Sequence, residues 1–338
     1  MRILLTHTPG ARARYYGEEA LAALRGLGDV VLHDGDTPLD TLALTALARG
    51  CEIVVCDRQT PGTAAFFAAS PNLIAFLRCA MDVRNIDIAA ASAAGVLVTR
   101  ASAGFVDAVA ELGIGLLVDL ARGIGSASAA YRAGRVPEVK MGVQLSGTTL
   151  GIVGCGAIGR RLGMLAATLG MTVLASDPDP DAIPGGIVRM EFGDLLARSR
   201  FVVCLAPAGE ATRHLFDAPA FASMMPGSYF VNLARGELVD EDALAAALDS
   251  GRLAGAAIDV GSAPDQMPPS RLAARTDVVA TPHIGGLTPQ AVAHQAFDTV
   301  RQVAALARGE LPENAINAAD AERVGRLVVR IRTGAAAR

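Results

Sequence analysis

Thr149-Leu150-Gly151-Ile152-Val153-Gly154-Cys155-Gly156-Ala157-Ile158-Gly159, a helical run, and then Met171-Thr172-Val173-Leu174-Ala175-Ser176-Asp177 form the stretch that decides the fold. Gly154, Gly156 and Gly159 make a G-x-G-x-x-G. An apolar strand is expected before it at 150–153 and a helix after it at 160–169. A second strand at 172–175 runs on to Asp177, 18 residues beyond Gly159. In such a unit the first glycine permits a tight turn, the second lets a pyrophosphate approach the backbone, and the third lets helix and strand pack closely. The helix N-terminus offers unpaired N–H groups and positive potential to phosphates. Asp177 is placed to accept hydrogen bonds from an adenosine ribose. Pro178 and Asp179 follow it, and no Lys or Arg occurs before Arg189. A 2′-phosphate would therefore meet two carboxylates, and the expected cofactor is NAD rather than NADP.

The rest of the chain is consistent with a two-domain enzyme. Its 338 residues suit two domains, and 51% hydrophobic residues suffice for two cores. A net charge of −4 with no block of basic residues argues against a nucleic-acid partner. The N-terminus, Met1-Arg2-Ile3-Leu4-Leu5, enters a strand-like segment with no signal-peptide layout. The apolar run at 113–118 is bracketed by Glu111 and Asp119, so no membrane span is expected. Cys51, Cys56, Cys79, Cys155 and Cys204 are scattered and show no C-x-x-C spacing. Free thiols in a reducing cytoplasm, without a metal site, are the expectation.

Strands are expected at 3–6, 30–33, 53–56, 73–77 and 96–99. Helices are expected between them at 18–24, 39–48, 62–69 and 86–94. This alternation implies a parallel sheet covered by helices. A long helix is expected at 105–122, followed by a Gly-, Ser- and Ala-rich stretch at 123–134. Beyond the fingerprint, strands are expected at 201–205, 228–233, 256–260 and 278–281. A helix at 290–308 and a tail that frays over 332–338 complete the chain. The dinucleotide domain is taken as residues 101–289. Residues 1–100 with 290–338 form a second α/β lobe, and a ligand is expected in the cleft between the two.

Hydride chemistry on a 2-oxo acid needs a group to hold the carboxylate and a group to move a proton. Arg235, in Asn232-Leu233-Ala234-Arg235-Gly236, offers bidentate donors. His283, in Thr281-Pro282-His283-Ile284-Gly285-Gly286, offers an acid/base near neutral pH. Asp259 ends a third strand. All three fall where α/β sheets bind ligands, at strand carboxyl ends. Read alone, Arg235 could be a surface ion-pair residue and His283 a turn-capping one. His7, His33, His214 and His294 fit no motif and are read as structural or exposed.

These segments, together with Arg84-Asn85-Ile86-Asp87, Ala108-Val109-Ala110-Glu111, Met225-Pro226-Gly227 and Gly255 to Val260, occur in a family's order. The chain resembles the D-isomer-specific 2-hydroxyacid dehydrogenases over most of its length. The resemblance implies an α/β protein of two lobes, with a Rossmann-type NAD-binding domain inserted in a flavodoxin-like substrate domain. It implies that Arg235 binds the substrate carboxylate and that His283 is the acid/base. Asp259 would contact the nicotinamide carboxamide. NAD would further be bordered by Gly154, Gly156, Ala157, Ile158, Gly159, Asp177, Pro207, Thr212, Ala234 and Gly285. Arg58, Ala80 and Met81 would border a small 2-hydroxy or 2-oxo acid. A homodimer joined through the NAD domain is implied as well.

Two departures stand out. The family's Glu, which pairs with the catalytic His, is absent from Asp259-Val260-Gly261-Ser262-Ala263-Pro264-Asp265-Gln266-Met267. Asp265 could replace it as a catalytic partner of His283. Alternatively His283 acts without a carboxylate, or the chain keeps NAD binding as a non-catalytic sensor. A relative acting on another small anion, such as formate or phosphite, is a further alternative. The second departure is in Arg78-Cys79-Ala80-Met81-Asp82-Val83-Arg84, where Ala80 and Asp82 replace glycines usual in the family. Asp82 would repel an anionic substrate unless Arg78 or Arg84 neutralises it. The altered turn suggests an unusual substrate, with a polar or extended side group.

Overall fold

The computed structural model describes residues 1–325 and Leu327. The tail expected to fray at 332–338 lies outside the described residues. The chain divides into two compact units, Met1–Gly104 with the described residues from Pro289 onward, and Phe105–Thr288.

The first unit is built on five parallel strands, β1 (Arg2–Leu5), β2 (Asp29–Leu32), β3 (Ile53–Cys56), β4 (Ala75–Arg78) and β5 (Leu97–Arg100). Their order is β2-β1-β3-β4-β5, the flavodoxin-like arrangement. The three central strands β1, β3 and β4 are apolar on both faces, as a sheet sandwiched by helices requires. Two buried cores result. Ile3, Leu5, Tyr16, Leu24, Val55 and Leu77 pack on one side, and Leu4, Val54, Phe66, Phe67, Phe76 and Val98 pack on the other. The helix Pro9–Tyr15 has no counterpart among the expected elements. Its start is set by Thr8, whose hydroxyl accepts from the Ala11 N–H at 3.2 Å, and by Pro9 in the first turn.

The second unit holds seven parallel strands: β6 (Thr149–Val153), β7 (Thr172–Ser176), β8 (Val188–Arg189), β9 (Phe201–Cys204), β10 (Ser228–Asn232), β11 (Leu253–Ile258) and β12 (Val278–Ala280). Their order is β12-β11-β10-β9-β6-β7-β8, a doubly wound Rossmann sheet. The chain reverses direction across the sheet between β6 and β9, which makes their carboxyl ends a ligand crevice. The edge strand β8 is two exposed residues long, too short to show a period. The Gly-, Ser- and Ala-rich stretch also differs from expectation and contains the helix Ile124–Arg132. Gly123, at φ 64°, closes the preceding helix, Val106–Arg122, in the left-handed conformation and lets a second helix follow at once.

Candidate functional site

The fingerprint lies at the carboxyl end of β6. Gly154 has φ 95°, a conformation natural only to glycine. The helix Ala157–Thr168 begins directly after Gly156, three residues earlier than expected, and no side-chain hydrogen bond caps its N-terminus. A Cβ on Gly159 would lie 2.4 Å from the Gly154 carbonyl oxygen, so this glycine sets the close packing of helix on strand. A Cβ on Gly156 would meet nothing within 4 Å. An uncapped helix N-terminus facing open room at the switch point fits a pyrophosphate. Ala157 is exposed and Ile158 half-buried beside it. Burial raises the pKa of the Cys155 thiol, with the Asp177 charge adding to the effect, so Cys155 is an inert packing residue.

Asp177 follows β7. Its Oδ2 accepts from the Cys155 N–H at 2.7 Å and its Oδ1 from the Asp179 N–H at 2.9 Å. The carboxylate thus ties the glycine turn to the end of β7 and keeps lone pairs for a ribose. Arg189 is exposed on β8, in register with Ala175, two residues before Asp177. After β9, the Thr212 hydroxyl donates to the Pro207 carbonyl at 2.7 Å and shapes that loop.

Three neighbouring strands supply the chemical groups. After β10, Asn232 organises the turn: its side-chain oxygen accepts from the Ala234 N–H at 3.0 Å, and its amide donates to the Arg235 carbonyl at 3.0 Å. Arg235 is half-buried and also bonds the Ala234 carbonyl at 2.6 Å. A Cβ on Gly236 would stand 2.4 Å from Gly261, so the Arg235 turn rests on the loop that follows β11.

Asp259, 3% exposed at the end of β11, holds the loop that carries His283. Its Oδ1 accepts from the Thr281 hydroxyl at 2.6 Å and the Ile284 N–H at 2.9 Å. Its Oδ2 accepts from the Gly285 N–H at 2.9 Å, and its carbonyl accepts from the His283 N–H at 3.0 Å. The carboxylate expected to face a nicotinamide is therefore largely engaged in fixing this loop. His283 itself is held at φ 53°, a left-handed conformation uncommon for a side chain of this size.

The expected partnership of Asp265 with His283 takes a different form. The Asp265 main-chain carbonyl, rather than its carboxylate, lies 2.9 Å from His283 Nδ1. The reason is local: Asp265 and Gln266 both adopt left-handed conformations, at φ 57° and 59°, and this turns the carbonyl toward the ring. A carbonyl only accepts, so Nδ1 carries the hydrogen and neutral His283 presents a lone pair at Nε2.

In the other unit, Arg78 is fully buried at the end of β4. It donates to the carbonyls of Asp57 and Thr60 and to the Asn85 side-chain oxygen. The Asn85 amide donates to the Arg58 carbonyl at 3.1 Å. Arg78 and Asn85 thus grip the main chain of 57–60 and leave the Arg58 side chain exposed. Arg84, not Arg78, neutralises Asp82, with Nε and Nη2 at 3.1 and 2.8 Å from its Oδ2. Ala80 and Met81 are half-buried in that turn. His7, given no role from sequence, is buried beside this assembly, and its Nδ1 has no hydrogen-bond partner. Burial lowers its pKa to about 4; Asp57 opposes the shift, while Arg12 and Arg78 add to it. Among the described residues, no group of His, Cys, Asp or Glu is arranged to hold a metal. No helix among them is long and apolar enough to cross a membrane.

Fold and site together define a dinucleotide-binding α/β protein with a guanidinium after β10 and an imidazole after β12, the two strands that flank β11. The chain belongs to the D-isomer specific 2-hydroxyacid dehydrogenase family, whose NAD binding domain is matched by residues 114–285. It is similar to D-3-phosphoglycerate dehydrogenase 2, chloroplastic, of Arabidopsis thaliana, with 33% identity over 337 residues, 94% of this chain and 54% of that one. It is also similar to the D-3-phosphoglycerate dehydrogenase of Mycobacterium leprae (strain TN), with 35% identity over 303 residues, 88% of this chain and 57% of that one. The chain thus spans about half the length of these curated relatives. Among solved structures it is similar to the TT0316 protein from Thermus thermophilus, with a TM-score of 0.83 and 30% identity over 94% of this chain and 100% of that chain.

Proposed function

We propose that the chain is an NAD-dependent oxidoreductase acting on a 2-hydroxy or 2-oxo acid. The observation that carries this reading is His283, held through Nδ1 by a main-chain carbonyl, with Nε2 left to exchange a proton. NAD(H), when bound, accepts or supplies the hydride. The glycine turn and the following helix N-terminus hold its pyrophosphate, and Asp177 holds its ribose. Arg235 grips the substrate carboxylate with its planar donor fork. In reduction, protonated His283 donates from Nε2 to the carbonyl oxygen; in oxidation, the neutral ring takes that proton back. Asp259 acts by keeping the His283 loop in place.

Residues 101–289 are assigned to NAD and residues 1–100 with 290–338 to the substrate. Arg58, Ala80 and Met81 are the substrate-facing candidates of the latter. The names of the curated relatives make 3-phosphoglycerate the first substrate to assay. A homodimer through the NAD-binding unit is supported by Tyr131, Val136, Val139 and Met141, large apolar side chains exposed in and after the helix Ile124–Arg132. The five cysteines are buried free thiols, which supports a reducing compartment such as the cytoplasm.

An Arg235→Gln variant tests the assignment. It should raise KM for the 2-oxo acid by about a hundredfold, a loss of roughly 3 kcal/mol for a charged hydrogen-bonded pair, and leave NADH affinity unchanged. An unchanged KM would remove Arg235 from the carboxylate site.

A further inference from the structure

The carbonyl that orients His283 sits on the loop 261–269, and that loop is anchored by a residue no motif marks. Glu241 opens the helix Glu241–Asp249, directly after the N-cap Asp240. Its carboxylate leaves the helix axis and turns to the loop. Oε1 accepts from the Ser262 N–H at 2.9 Å and Oε2 accepts from the Ser262 hydroxyl at 2.7 Å. Arg271 Nη2 stands 3.4 Å from Oε2, and the Glu241 side chain is 12% exposed. The loop also closes on itself, through Gly261 N–H to the Gln266 carbonyl at 2.8 Å and Ala263 N–H to the Met267 carbonyl at 3.0 Å. Ser262 lies between those two closures, so Glu241 ties the closed loop to the helix at its base. The loop holds two successive non-glycine residues in the left-handed region, a conformation that persists only where the surroundings fix it. Those two residues are what point the Asp265 carbonyl at Nδ1.

We propose that Glu241 is a positioning residue for His283. It acts through Ser262 and the 261–269 loop to keep the Asp265 carbonyl on Nδ1, and so keeps the ring in the tautomer that leaves Nε2 available. The proposal rests on the reading of His283 as the acid/base. It supplies, through a main-chain acceptor and a distant carboxylate, the orientation that a carboxylate bonded directly to the ring would provide. A ring released from its acceptor exchanges between both tautomers and turns about its side-chain bonds, which degrades proton transfer without touching the cofactor site.

The test is an imidazole-ring nitrogen NMR spectrum of the free, 15N-labelled protein, for wild type, Glu241→Ala, Glu241→Gln and Ser262→Ala. The His283 signals are assigned by their loss in His283→Ala. Wild type should show His283 as a single Nδ1–H tautomer once neutral. Glu241→Ala should show a mixture of tautomers, with kcat for 2-oxo acid reduction lower by roughly ten- to a hundredfold and NADH affinity unchanged. Glu241→Gln should restore the single tautomer, because its amide oxygen accepts from the Ser262 N–H and its amide N–H donates to the Ser262 hydroxyl. Should Glu241→Ala fail to fold, Ser262→Ala makes the same test from the loop side and should give a partial mixture. A pure Nδ1–H tautomer in Glu241→Ala, or in Ser262→Ala where that variant stands in for it, overturns the proposal. So does a Glu241→Gln protein as disturbed as Glu241→Ala. The ring spectrum needs no turnover, so an absence of dehydrogenase activity would be read separately from a failure of the positioning.

Discussion

Gly156→Ala and Gly159→Ala should separate cofactor binding from stability, and the structure says by how much. At Gly159 the added Cβ would lie 2.4 Å from the Gly154 carbonyl oxygen and 3.2 Å from Ile152 Cγ2. Carbon–oxygen contacts ordinarily lie at about 3.3 Å or more, so the helix must retreat from β6 by roughly 0.9 Å. Overpacking of this kind costs about 1–3 kcal/mol, offset by about 1 kcal/mol for replacing glycine in a helix. The net loss is about 1 kcal/mol, a fall in Tm of about 2–4 °C for a unit of this size. At Gly156 a methyl meets nothing, and the backbone, at φ −66° and ψ −162°, is one that alanine adopts freely. Alanine is a poorer N-cap than glycine, so stability there should fall by about 0.5 kcal/mol. The methyl nevertheless enters the room assigned to the pyrophosphate, so the Kd for NADH should rise at least about tenfold, or 1.4 kcal/mol. Thermal melts and NADH fluorescence titrations read the two quantities. A Gly156→Ala protein that binds NADH like wild type, or that melts below Gly159→Ala, would refute the reasoning.

Two further predictions follow from single residues. The folded protein keeps His7 unprotonated down to about 4, against an ordinary value of 6.5 that applies once the chain unfolds. Between those pH values the unfolded chain binds the extra proton, so stability is retained above pH 6.5 and lost as pH falls toward 4, by about 3 kcal/mol in all. Urea titrations across that range should show an acid limb that His7→Gln flattens; an equally steep limb in the variant would remove His7 as its source. Asp177→Ser should weaken NADH binding and move preference toward NADPH by about tenfold, because Arg189 stands on the next strand, about 4.8 Å away in the sheet direction, once the carboxylate is gone. Competitive titration with the two cofactors reads the ratio, and an unchanged ratio would place selection elsewhere.

The fold was legible because its signals are local. The fingerprint spacing, the apolar strands and the acid at Asp177 can each be read within a few residues, and together they define one Rossmann sheet and one flavodoxin-like sheet. The short strand Val188–Arg189 and the helix Ile124–Arg132 escaped because neither buries a side chain that would show a period. At the site, residue types were readable but their bonds were not. An acid at the end of β11 marks Asp259, yet nothing in the sequence says that its oxygens are taken by Thr281, Ile284 and Gly285. A search for a carboxylate partner of His283 looks for side chains. The hydrogen bond comes from a carbonyl, which every residue carries, and its aim depends on left-handed torsions at Asp265 and Gln266. The burial of Arg78 was not legible either: arginines are rarely buried, and this one is buried because the Asp57 and Thr60 carbonyls and the Asn85 side-chain oxygen take its donors.

The most direct test of the central claim is NADH oxidation by the purified protein against 3-phosphohydroxypyruvate, hydroxypyruvate, glyoxylate, pyruvate, phenylpyruvate and 2-oxoisocaproate, with His283→Ala in parallel. Turnover of at least one of these acids is expected, with a loss of about a hundredfold or more in kcat for the variant and NADH affinity retained. Tight NADH binding with no turnover of any acid, or equal turnover in the variant, would contradict it.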